Sequence, residues 1–248
     1  MKRPIEWQIA AVKNVQAETP KVKTFTLSLP NWTPHLAGQH YDVRLTAADG
    51  YQAQRSYSIA SEPERAGEVD LTVERLEDGE VSGYLHDVLV PGDLVEVRGP
   101  IGGYFVWEVR QGGPLLLVAG GSGVVPLMAM IRHRAAQGAR VPTRLLFSSR
   151  TPEDAIYFDE LERLRSNGGG LEVFHTFTRA QPPGWTGYGR RIDAPMLAEV
   201  AGPLGRSPQT FICGPTLLVE AAADGLVKAG LKANSIRTER FGPSGASR

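Results

Sequence analysis

Cysteine is almost absent from this chain: Cys213 is the single instance in 248 residues. One thiol excludes an internal disulfide framework, a cysteine-built zinc site and a cysteine-ligated iron–sulfur cluster within these residues. It fits a reducing, cytoplasmic setting. An excess of either charge is missing too, with 27 Lys plus Arg against 27 Asp plus Glu. No overall field draws the chain to nucleic acid or to an anionic membrane, although a partner with one charged patch is still accommodated. The five histidines, His35, His40, His86, His133 and His175, lack ligand spacing and are assigned no metal. There is no internal repeat and no low-complexity segment. At the amino terminus, MKRPIEWQIA opens basic but sets Glu6 and Gln8 where a signal peptide needs an apolar core. No export signal is therefore read, and the mature chain is expected to begin here.

A true lipid-compatible run is also lacking. Residues 114–131 carry no charge and approach the length of a membrane span, but Gly120, Gly121, Gly123 and Pro126 would interrupt a lipid-facing helix. A buried strand, a tight turn and a buried helix account for the same letters.

What is present changes its period at residues 111–114. Before that point apolar and polar residues alternate strictly. Phe25, Leu27 and Leu29 stand against Thr24, Thr26 and Ser28, and Tyr41, Val43 and Leu45 against Asp42 and Arg44. Residues 69–74 and 94–98 continue the pattern, with turns at Asp49-Gly50, Asp78-Gly79, Pro91-Gly92 and Gly99-Pro100. The spacing predicts a small antiparallel barrel of half-buried strands, interrupted by one helix over about 81–89. After the division, strands are predicted at 115–119, 144–148, 171–178, 210–213 and 235–241. Helices are predicted between them at 124–137, 153–165, 194–200 and 216–229. This describes a five-stranded parallel sheet with covering helices. Ligands of such sheets bind outside the carboxyl ends of the strands, and GGSG, SSR and CGP all follow predicted strand ends.

Taken in order, RSYS at 55–58, GEVS at 79–82, GGSGVVP at 120–126 and CGP at 213–215 resemble the ferredoxin-NADP reductase family of flavoproteins over nearly the whole chain. The resemblance implies an N-terminal antiparallel six-stranded FAD-binding β-barrel, residues 1–110. It is followed by a five-stranded parallel α/β domain that binds NAD(P), residues 111–248. Arg55 would pair with the flavin's phosphate, Tyr57 would pack on the isoalloxazine and Ser58 would hydrogen-bond near N5. Those residue types suit a phosphate, a planar ring and an unobstructed hydride path respectively. Val73 joins the flavin set, and Gly79, Val81 and Ser82 at the helix start would hold the FAD pyrophosphate, unless Ser82 is only an N-cap.

For the second nucleotide, the resemblance assigns Gly120, Gly121, Ser122 and Gly123 to the pyrophosphate, with Pro126 in the first helical turn. These glycines equally suit a purely structural strand-to-helix turn. Ser149 and Arg150 would take a 2′-phosphate and Tyr157 would stack on adenine, which favours NADPH over NADH; Ala155 stands where relatives often have a lysine. Arg150 has another available partner in Asp154. Cys213, Gly214 and Pro215 would align nicotinamide C4 with flavin N5, a positional role that needs no thiolate. Near the end, Phe241 would cover the flavin face or simply finish the core, and Glu239 is a candidate proton-relay carboxylate. The polar tail 242–248 is expected to be mobile.

The implied activity is hydride transfer from NADPH to FAD, then single-electron transfer to a separate ferredoxin or flavodoxin-type acceptor by a monomer; the reverse flow is equally allowed. Two alternatives stay open. One is a reductase of a small acceptor such as a ferric chelate, quinone or oxygen, and the other is a flavin-binding regulatory subunit without turnover.

Overall fold

A computed structural model describes residues 5–241. The tail 242–248 and residues 1–4 lie outside the described residues. The N-terminal half contains β1 (Trp7–Thr19), β2 (Val22–Ser28), β3 (His40–Thr46), β4 (Gln52–Ser58), β5 (Glu68–Glu74), α1 (Glu80–Asp87) and β6 (Leu94–Ile101). Its six strands run in the order β4-β3-β6-β1-β2-β5, all antiparallel. A bridge between Ile59 and Leu71 joins the two outer strands and closes the barrel. Inward residues such as Phe25, Leu27, Tyr41, Val43, Leu71 and Val97 fill it, and α1 contributes Val81 and Leu85. Each such aliphatic or aromatic burial contributes about 1.5–3 kcal/mol.

Two strands escaped the sequence pattern. β1 has a pairing irregularity between Val12 and Asn14 that breaks its alternation. β4 is an edge strand in which Ala53 alone is buried, so RSYS carries almost no apolar signal. One expectation is corrected: the polar face of β2 is not half-solvated. Thr24 and Thr26 are buried, and their hydroxyls bond to Thr72 and Asp70 of β5. The second half of the molecule covers them.

That half contains β7 (Leu115–Gly120), α2 (Val124–Ala136), β8 (Thr143–Ser149), α3 (Phe158–Ser166), β9 (Leu171–Phe177), α4 (Ala194–Ala201), β10 (Gln209–Pro215), α5 (Thr216–Lys228) and β11 (Ile236–Phe241). The sheet order is β11-β10-β7-β8-β9, all parallel. Alternation along β7 sends Leu115, Leu117 and Ala119 into one core with α2, and Leu116 and Val118 into another with α4 and α5. The order in which strands are added reverses between β7 and β10, with β8 and β9 laid on one side of β7 and β10 and β11 on the other. This is the switch point at which open parallel sheets place their ligands. No helix among the described residues is long and apolar enough to cross a membrane.

The predicted helix over 153–165 is two pieces. A 3-10 turn at Pro152–Asp154 ends before α3, and Tyr157 between them has φ +61°. That left-handed conformation is costly for a tyrosine and is held by its surroundings. The ring is buried beneath the Arg132 guanidinium, 4.8 Å from its centroid, and the hydroxyl donates to Thr72 of the barrel. Arg132 also donates to the Ala60 carbonyl at 2.8 Å and clasps Glu160. Tyr157 thus joins the halves of the molecule.

Candidate functional site

The switch point is built by close backbone approach. A methyl group on Gly123 would lie 2.1 Å from the Cys213 carbonyl oxygen, and one on Gly214 would lie 3.1 Å from the Gly120 nitrogen. Only glycine lets the turn after β7 touch the end of β10. Gly121, at φ +54°, has nothing near its absent side chain and opens onto a cleft of about 310 Å3. Gly120, Gly121, Ser122, Ser149, Arg150, Pro215 and Phe241 all line it. Seven residues scattered over more than a hundred positions therefore meet on one surface. Pro126 does not join them: it is the third residue of α2 and is buried in the core.

The barrel supplies one wall of this cleft through Thr19, Lys21, Val22 and Glu74, none of which was predicted as a site residue. Alternation along β5 buries Val73 and so turns Glu74 outward, a signal already present in the sequence. Ser122 donates its hydroxyl to the Glu74 carboxylate at 2.7 Å. At the far end, Arg150 clasps Asp154 through two hydrogen bonds of 3.1 Å. The partner left open in the sequence is the one the guanidinium takes. The Ser149 hydroxyl is buried and has no hydrogen-bond partner among the described residues. Ile156 and Thr178 line the wall, whereas Tyr157 is turned away into the domain seam, so the expected adenine stack is corrected.

On the barrel, Arg55 is exposed on β4, its Nη1 donates to the Gln54 carbonyl at 2.6 Å, and it has no carboxylate partner among the described residues. Helix α1 packs against β4, and Tyr51 at the foot of that strand donates to Glu80 in the first turn of α1 at 3.1 Å. Tyr57 and Ser58 follow, both half-buried, with burial pushing the Tyr57 phenol up to about 12. The reading of Ser82 as an N-cap is corrected. Gly79 holds the cap position, and the buried Ser82 hydroxyl accepts from the Leu76 N–H and donates to the Gly79 carbonyl. Val73 and Val81 are each 1% exposed, and their side chains pack in the barrel core.

Beside the cleft, Cys213 lies between Ala119 and Glu239 in register. Burial pushes its thiol well above the usual range, with the Glu239 carboxylate adding to the shift. Burial also pushes the Glu239 carboxyl from 4.5 up to about 7. Folding thus tightens the hold on that proton, and the stability gained is lost as pH rises from about 4.5 to 7. Glu239→Gln is therefore expected to match wild type at pH 4.5 and to be the more stable protein at pH 8. Urea unfolding at the two pH values reads this, and equal differences at both would exclude the shifted carboxyl.

A barrel whose strand β4 carries an unpaired arginine and packs against α1, joined to a parallel sheet with a switch-point cleft, is an architecture suited to two nucleotides. Residues 10–106 match the oxidoreductase FAD-binding domain family and residues 117–224 the oxidoreductase NAD-binding domain family. The chain is 34% identical over 247 residues to ferredoxin–NADP reductase B of Sorangium cellulosum, covering 96% of this chain and 98% of that protein. It is 33% identical over 242 residues to the glycine betaine monooxygenase reductase subunit of Chromohalobacter salexigens, spanning only 65% of that relative's length. Among solved structures, a ferredoxin NADP+ reductase from Neisseria gonorrhoeae with bound FAD and NADP has a TM-score of 0.79 at 22% identity, covering 94% of this chain and 98% of that one. The chain belongs to the ferredoxin-NADP reductase family of flavoprotein oxidoreductases.

The residues fit the family's two nucleotides. Arg55 without a carboxylate and the free N–H groups of the first turn of α1 suit the FAD phosphates, and the half-buried Tyr57 offers an aromatic face. The orphaned Ser149 hydroxyl beside the Arg150 guanidinium suits a nucleotide's ribose or its 2′-phosphate.

Proposed function

We propose that residues 1–110 hold FAD and residues 111–248 hold NADPH in preference to NADH. The chain then moves a hydride from NADPH to FAD and passes single electrons to a separate acceptor protein of ferredoxin or flavodoxin type. The observation that carries this reading is the cleft itself. It lies at the switch point, is lined by Gly121, Ser122, Pro215 and Phe241, and takes one wall from the flavin barrel. Bound flavin supplies acceptance of two electrons and release of one at a time. This chain's residues supply alignment. Arg55 grips the phosphate, Tyr57 and Phe241 flank the ring, and Ser58 is small enough to leave its reactive edge open. Cys213 sets the depth of the nicotinamide as a neutral thiol, and Glu239 holds a proton near neutrality at its carboxyl. Ser149 and Arg150 at the end of β8 support NADPH, and Asp154 on Arg150 weakens that preference. An iron–sulfur cluster with four cysteine ligands cannot be built from these 248 residues, whose one cysteine is Cys213, which supports an acceptor outside them.

Anaerobic titration of the FAD-loaded protein, first with NADPH and then with NADH, tests the proposal through visible flavin absorbance. Bleaching at lower NADPH than NADH is expected. Flavin that stays oxidised with both nucleotides would overturn the reductase reading, and equal response would remove the preference.

A further inference from the structure

Two groups in the cleft suited to bind phosphate are already held by carboxylates of the chain. Ser122, in the turn between β7 and α2, donates to Glu74, and Arg150 is clasped by Asp154. The two contacts differ in kind. Arg150 and Asp154 are neighbours within one loop, four residues apart, whereas Glu74 and Ser122 come from opposite halves of the molecule. Glu74 is the last residue of barrel strand β5, forms no salt bridge among the described residues, and bonds through its side chain only to Ser122 there. Lys21, on the same wall, lies 3.8 Å from Glu77 rather than beside Glu74. The barrel therefore presents an uncompensated carboxylate to the turn that the functional reading assigns to a pyrophosphate.

To a serine hydroxyl and loop N–H groups, a carboxylate and a phosphate are the same sort of partner: an anion with oxygen acceptors. We propose that Glu74 is an internal stand-in for the nucleotide's pyrophosphate. It holds Ser122 until a dinucleotide arrives, must give up that hydroxyl and turn aside when the pyrophosphate is seated, and so lowers affinity for any dinucleotide that uses the cleft. The pyrophosphate is common to NADPH and NADH, so Glu74 acts on both alike. Asp154, at the other end, competes only with the 2′-phosphate. One carboxylate sets overall affinity, and the other sets discrimination. This inference rests on the nucleotide-binding reading above.

The test is calorimetric titration of the FAD-loaded, full-length protein with NADP+, NAD+ and ADP-ribose, comparing wild type, Glu74→Gln, Glu74→Ala and Asp154→Asn. Glutamine keeps an oxygen that accepts from Ser122 but removes the charge. The dissociation constants of all three ligands should fall by about five- to tenfold in Glu74→Gln, the difference between a charge-assisted and a neutral contact. That gain should shrink as salt is raised. Asp154→Asn should tighten NADP+ alone. A carboxylate that merely braces the two halves would predict another pattern: Glu74→Gln like wild type, with Glu74→Ala melting earlier and binding more weakly. That pattern, or tightening confined to NADP+ in Glu74→Gln, overturns the proposal. A wild type that binds all three with Glu74→Gln unchanged sinks this inference alone, whereas a wild type that binds none of them sinks the functional reading with it.

Discussion

Arg55→Ala should strip the barrel of its flavin, raising the dissociation constant for FAD by about 10- to 100-fold, the cost of one charge-assisted phosphate contact. The side chain is exposed, bonds only to the neighbouring Gln54 carbonyl, and has no acidic partner among the described residues. Its removal therefore leaves nothing buried and unsatisfied, and the melting temperature of the flavin-free protein should not move. Arg55→Lys should recover part of the affinity, because an ammonium keeps the charge but loses the fork. The ratio of flavin to protein absorbance after gel filtration, followed by fluorescence titration with FAD, separates these cases. Full flavin retention in Arg55→Ala would place the phosphate elsewhere.

Gly123→Ala carries the largest expected loss of stability. Its new methyl group would meet backbone, with the Cys213 carbonyl oxygen at 2.1 Å and the Gly214 nitrogen at 2.7 Å, so no side chain can rotate away to relieve the clash. The turn must move off β10, at a cost of about 3 kcal/mol. The same displacement separates Ser122 from Cys213, and a shift near 1 Å is expected to slow flavin reduction by about 100-fold. Gly121→Ala is the contrast. Nothing stands near its side-chain position, so only the positive φ resists, at about 1–2 kcal/mol. Urea unfolding and stopped-flow flavin bleaching measure both variants, and equal losses at the two glycines would refute the packing argument.

Most of the architecture is legible in the letters. Alternation in β2, β3 and β5 and continuous apolar runs in β7 and β10 report burial on one face or on two, which is what distinguishes a barrel strand from a central parallel strand. β4 was hidden because Ala53 alone of this edge strand is buried, so its letters carry no apolar alternation. The site was half legible. GGSG, SSR and CGP announce themselves by position after strand ends, and the structure gathers residues from each at one cleft. What spacing could not reveal was the orientation of single side chains. Tyr157 and Pro126 are spent on packing, Ser82 on its own loop, and Val73 and Val81 on the barrel core. Glu74 and Lys21 were missed for the converse reason, although alternation along β5 already turns Glu74 outward. They come from the other half of the molecule, and only the docking of the two halves sets them in the nucleotide cleft.

The seam around Tyr157 bears on how the molecule comes apart. Ala37, Ala60, Phe105 and Trp107 of the N-terminal half share one continuous apolar core with β7, α2 and Phe211, and Trp107 is fully buried in it. Domains joined by a polar, linker-like contact open independently, but a common interior ties their fates. Heat or denaturant should melt both halves in one transition, and neither half cut free would keep its apolar surface from water. Evolution or engineering can thus append modules to the ends of such a chain far more readily than it can exchange its two halves.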